Sequence, residues 1–94
     1  MKRLLAICGL FLTCSATAQT RFPAEVERFI DRRDKCDHFR GEEPYDEERG
    51  EFLHRRMVEF CNGTDKQLAE LKQKYQGNKA VTERLNRYEP FIER

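Results

Sequence analysis

An all-α fold, a small bundle of about four short helices stapled by one disulfide, is what this sequence predicts. Three observations carry that expectation. Apolar residues recur at three- and four-residue steps through four separate stretches, with no strand-like alternation. Gly, Pro and Asn fall between those stretches as breaks. Cys36 and Cys61 are the only cysteines left once an amino-terminal leader is set aside.

The leader is the first thing to remove from the 94 residues. Met1-Lys2-Arg3 is a short basic start, Leu4–Ser15 is mostly apolar, and Ala16-Thr17-Ala18 has the small-x-small pattern of a cleavage site. This is the layout of a secretory signal peptide over residues 1–18, too short for a membrane span of about 20 residues. Gln19–Arg94 is then a single domain of 76 residues with 17 acidic and 16 basic side chains. Near-neutral charge excludes the usual electrostatic footprint of a nucleic-acid binder. No later stretch is apolar enough for membrane insertion. Leu, Ile, Val and Phe together number only 15 in the mature chain, a small core that calls for a covalent staple.

The first helix is expected from about Pro23 to His38. Proline suits a first turn, and Phe22, Val26, Phe29, Ile30, Arg33 and Cys36 form one helical stripe. Gly41 and Pro44 interrupt it. Asp46-Glu47-Glu48 then places acids where a helix amino terminus favours them, and Phe52, Leu53, Met57, Phe60 and Cys61 continue a second stripe. Asn62-Gly63 is a stop, with Gly63 free to take the left-handed conformation. Thr64 and Gln67 have the spacing of a capping box, ahead of Leu68, Leu71 and Tyr75. A last helix carries Val81, Leu85 and Tyr88 up to Pro90, with Phe91 and Ile92 expected to fold back onto the core.

In an oxidising compartment Cys36 and Cys61 are expected to pair. Closing a loop of about 25 residues is worth roughly 3.5 kcal/mol in the chain-entropy model. The bridge also constrains the fold. In a simple antiparallel hairpin Cys61 would lie about 22 Å from Cys36 at ~1.5 Å per helical residue, whereas bridged Cα atoms lie within about 7 Å. Either residues 40–46 run back extended or the two helices cross steeply, and Gly41 with Pro44 favours the second. The helices are therefore not expected to form an ordinary up-down hairpin.

Chemistry is sparse. His38 could act as a base with Asp34 one turn away, but no nucleophile accompanies it and the chain is not expected to be an enzyme. His38 and His54 lack the short paired spacing of a zinc site, the cysteines lack the C-x-x-C spacing of a redox pair, and no cofactor is expected. The acids between 31 and 48 (Asp31, Asp34, Asp37, Glu42, Glu43, Asp46, Glu47 and Glu48) offer an alternative reading as a divalent-cation site, although Arg28, Arg32, Arg33 and Lys35 can neutralise many of them. Charge is uneven along the chain. Glu42–Glu51 holds six acids against Arg49, and Lys66–Lys79 holds four lysines against Glu70. The acidic stretch joins charge to aromatic anchors beside the staple. Phe39, Glu42, Glu43, Tyr45, Glu47 and Glu48 are accordingly the candidate partner-binding residues.

Cys36-Asp37-His38-Phe39-Arg40-Gly41-Glu42, with Cys61-Asn62-Gly63-Thr64-Asp65 downstream, resembles small exported proteins of Gram-negative bacteria, over residues 29–92 or so. That group has no established activity. The resemblance implies a periplasmic address and the Cys36–Cys61 bridge, and it carries over no catalytic residue. The expectation is a small exported, non-catalytic helical protein that binds another envelope protein in an inhibitor-like or accessory role.

Overall fold

The computed structural model of the protein describes residues 21–93, so the expected leader lies outside the described residues. Four helices follow one another: α1 (Ala24–Arg40), α2 (Glu47–Cys61), α3 (Thr64–Lys74) and α4 (Lys79–Leu85). There is no strand among the described residues.

The stripe read in α1 is its buried face: Val26, Phe29, Arg33 and Cys36 are all inaccessible to solvent. α3 returns antiparallel along α1, as Asp65 lies near Arg33 and Tyr75 bonds Glu25. α4 and the tail beyond it then follow α1 forward again, with Tyr88 on Asp34 and Glu89 on Arg33 and Arg40. Val26, Phe29, Leu68, Leu71, Val81, Leu85 and Tyr88 form one core, flanked by Phe22, Ile30 and Tyr75. Complete burial of such apolar side chains is worth about 1.5–3 kcal/mol each. Phe29 and Tyr88 meet edge to face at 5.5 Å.

α2 contributes no residue to that core. Its one fully buried side chain is Leu53, and it lies along the carboxyl-terminal half of α1. The Arg32 guanidinium donates to the carbonyls of Glu59 and Asn62. Cys36 is bridged to Cys61 with Cα atoms 4.9 Å apart. Farther on, Phe39 meets Phe52, and Glu42 pairs with Arg49. Ascending positions in α1 thus meet descending positions in α2. The bridge is reached by stagger: Cys36 is four residues from the end of α1, but Cys61 is fourteen from the start of α2. At ~1.5 Å per residue, α2 overshoots the end of α1 by about 15 Å. Residues 41–46 run onward past α1 to reach that start, neither back along it nor into a tight reversal. An ordinary end-to-end hairpin is avoided, as the cysteine spacing requires, but by stagger of antiparallel helices and not by the steep crossing expected from Gly41 and Pro44.

Three local expectations are corrected. Thr64 and Gln67 form no capping box. Gly63 takes the left-handed conformation (φ 82°) and is itself the cap residue, which moves Thr64 inside the helix. There the Thr64 hydroxyl donates to the Cys61 carbonyl at 2.8 Å. The exposed donors are met from the far end of the chain: the Glu93 carboxylate accepts from Gly63 N–H (2.8 Å) and Asp65 N–H (2.9 Å). Asp65 in return accepts from the N–H groups of Ile92 and Glu93. Second, α4 ends at Leu85, and Tyr88 enters the core from the following turn. Third, Ile92 is half-buried, but Phe91 is 79% exposed. The Asp65–Glu93 clasp holds the tail by its backbone and carboxylate, so the Phe91 ring is not drawn in.

Candidate functional site

The overshooting end of α2 is where the acidic residues gather. Asp46 caps α2, its carboxylate accepting from Arg49 N–H at 2.8 Å, as Asp does at helix starts. Glu47 and Glu48 fill the first turn, where the helix dipole favours negative charge. The connecting loop is pinned at both ends. Gly41 N–H donates to the Asp37 carbonyl, and Glu42 grips Arg49 through two hydrogen bonds of 2.7 and 2.9 Å. That Arg49 grip, a charge-assisted fork, holds the Glu42 carboxyl below its usual range.

The six candidate partner-binding residues divide into two groups. Phe39 and Glu42 are spent inside the molecule. Phe39 stacks on Phe60 (6.0 Å, rings 9° apart) and takes the edge of Phe52 (6.0 Å), which fastens α2 to α1. Glu42 is held by Arg49. Glu43, Tyr45, Glu47 and Glu48 are exposed, and Tyr45 is 80% accessible. None of these three glutamates makes an ion pair among the described residues. Glu51, one turn farther along α2, is also exposed and extends the acidic edge. It belongs to the acidic run visible in the sequence, but only the helix geometry places it beside Glu47 and Glu48. The result is an exposed acidic edge at the start of α2 beside one solvated phenol, outside the main core, where a surface groove brings Tyr45 together with Asp46, Glu48, Arg49 and Phe52.

The other polar constellations are occupied internally. The Asp34 carboxylate accepts from the Tyr88 hydroxyl at 2.6 Å and faces Arg84 at 3.8 Å. No hydrogen bond joins it to His38, whose exposed ring instead meets the edge of Phe39. Burial, with the Asp34 bond, pushes the Tyr88 phenol up to about 12. Asp31 pairs with Lys35, and Asp37 with Arg33 and Arg40. Asp31, Asp34, Asp37 and Glu42 are therefore taken by separate bases, Asp46 caps α2, and Glu43, Glu47 and Glu48 stay in solvent. Among the described residues no group of three or more His, Cys, Asp or Glu converges to hold a metal ion.

Arg33 is the polar centre of the fold and the most consequential residue that a surface reading of the charges overlooks. Its side chain is fully buried. It donates to Asp37 at 3.3 Å and to the Glu89 carbonyl at 2.5 Å, lies 3.9 Å from Asp65, and sits over the Tyr88 ring. The signal was its place in the apolar stripe of α1.

No helix among the described residues is long and apolar enough to cross a membrane. Comparisons with protein-family models, curated proteins and solved structures return no match.

Proposed function

We propose that this chain is a small exported, non-catalytic helical protein that binds another envelope protein through the acidic end of α2. The observation that carries the reading is the exposed Tyr45 in the same short segment as the exposed, unpaired Glu43, Glu47 and Glu48, on an arm that supplies nothing to the main core. A tyrosine that is solvated in the free protein, with charged neighbours, matches the composition of an anchor and its rim at protein interfaces. The partner this surface fits presents basic side chains around an apolar recess for the phenol. Electrostatic attraction of this kind acts chiefly on the association rate and weakens with salt. The cysteine pair and the apolar leader support an address in the periplasm.

The test uses the affinity-tagged protein recovered from a periplasmic extract. A co-purifying protein should be lost when Glu43→Lys and Tyr45→Ala are combined, with an unchanged circular-dichroism melt. Neither residue lies in a helix or in the core, so the variant should stay folded. Undiminished recovery of the same protein by the folded variant would refute the assignment of this surface.

A further inference from the structure

We propose that the Cys36–Cys61 disulfide is a redox latch for α2: its reduction frees α2 from α1 while the core of α1, α3 and α4 stays folded. This goes beyond the binding reading and does not depend on it.

The first ground is the composition of the core. Every residue of the main cluster comes from α1, α3, α4 or the turn carrying Tyr88. Arg33 and the Asp65–Glu93 clasp tie α1, α3 and the tail together without α2. Removing α2 from its place therefore opens no cavity in that cluster and breaks none of its polar links.

The second ground is what would hold α2 without the bridge. Leu53 is its one buried side chain. Phe39, Phe52 and Phe60 pack on one another but are only half-buried, and an open groove runs over them. The Arg32 bonds to the carbonyls of Glu59 and Asn62 lie toward solvent, where such links contribute little, and the part-buried Glu42–Arg49 fork ties α2 to the connecting loop and not to α1. Elements with few buried apolar contacts and exposed polar links open locally before the rest of a fold does. The chain leaves α2 through Gly63 and enters it through the mostly exposed 41–46 loop, so its release costs the Thr64–Cys61 hydrogen bond at the start of α3 but displaces no residue of the main cluster.

The third ground is access. Cys36 is fully buried, but Cys61 is part-exposed and lines a surface groove with His54, Met57 and Val58. Cys61 is therefore the side of the bridge from which a dithiol reductant approaches. The reductant's thiolate attacks the Cys61 Sγ, the S–S bond breaks, and Cys36 leaves as a thiolate that takes up a proton. The second thiol of the reductant then displaces Cys61, so the reductant departs as a disulfide and its two hydrogens end on Cys36 and Cys61. The released α2 uncovers the aromatic face of Phe39, which the oxidised protein keeps packed.

The experiment is peptide-resolved hydrogen exchange on the folded, oxidised protein before and after dithiothreitol, with quantitative thiol counting. The expected result is exchange at least tenfold faster in peptides from 47–61, with less than twofold change around Phe29, Leu68 and Leu85. The double variant Cys36→Ala/Cys61→Ala should show the same split without reductant. Two outcomes overturn the proposal. Acceleration through the whole chain would make the bridge a staple of the entire fold, and unchanged protection in 47–61 would mean that packing alone holds α2.

Discussion

Replacing Arg33 by alanine tests the central claim that this side chain organises the fold from inside. The guanidinium is fully buried, and its removal strands three groups. The Glu89 carbonyl loses its donor, Asp65 (18% exposed) loses its nearest cation, and Asp37 (34% exposed) keeps only Arg40. Breaking a buried pair from one side costs about 3–5 kcal/mol. Partial exposure of both carboxylates discounts that, while the cavity under the Tyr88 ring and the lost cation–π contact at 5.6 Å add to it. The expected destabilisation is about 3 kcal/mol, a large fraction of what so small a domain possesses. For a domain of 60–100 residues that corresponds to a fall in Tm of about 12–24 °C. Urea titration followed by circular dichroism at 222 nm, under oxidising conditions so that the bridge is held constant, measures it. Arg33→Met separates the two contributions, because it keeps most of the packing volume and removes only the donors. A loss below about 1 kcal/mol for Arg33→Ala would refute the reasoning and reassign Arg33 to a tolerated burial.

Three further outcomes follow from local chemistry. Glu93→Ala removes the carboxylate that caps α3 from a distance; loss of a helix cap costs about 1 kcal/mol, and a thermal melt should register it, whereas no shift would make the clasp incidental. The Glu25 carboxyl is held below 4.5 chiefly by its hydrogen bonds from Lys74 and Tyr75. A carboxyl lowered in the folded state contributes stability above its unfolded value that is lost as pH falls through the folded one. The melting temperature should therefore drop on acidification below pH ~4.5, and Glu25→Gln should flatten that limb. Tyr88 has the opposite sign: with its phenol raised from 10 to about 12, its contribution is complete below pH 10 and fades as pH rises toward 12. Tyr88→Phe should flatten the alkaline limb, and an unaltered limb would show that this phenol does not govern it.

Helix number, helix breaks and cysteine pairing were legible in the sequence because they rest on short-range physics. The three- and four-residue spacing of Val26, Phe29, Arg33 and Cys36 marks a buried face wherever the helix is placed. Gly63 stops a helix because its backbone can turn left-handed. Cys36 and Cys61, the only cysteines beyond residue 14, required some departure from a plain hairpin before any packing was known.

Which charges stay in solvent was decided only by the tertiary structure. Glu42 and Glu43 are neighbours of one type, yet Arg49 takes the first and leaves the second in solvent. Thr64 and Gln67 satisfy a local capping rule, but with Gly63 as the cap it is Glu93, 28 to 30 residues away, that accepts from the first donors of α3, Gly63 N–H and Asp65 N–H. Phe91 is as apolar as Phe29, and the clasp beside it leaves it outside. In each case local spacing specifies what a residue could do, and the choice among competing partners depends on which distant segment arrives first in space. The stagger of α2 against α1, set by the covalent bridge, carries Tyr45 and the exposed acids of 43–51 clear of the main core.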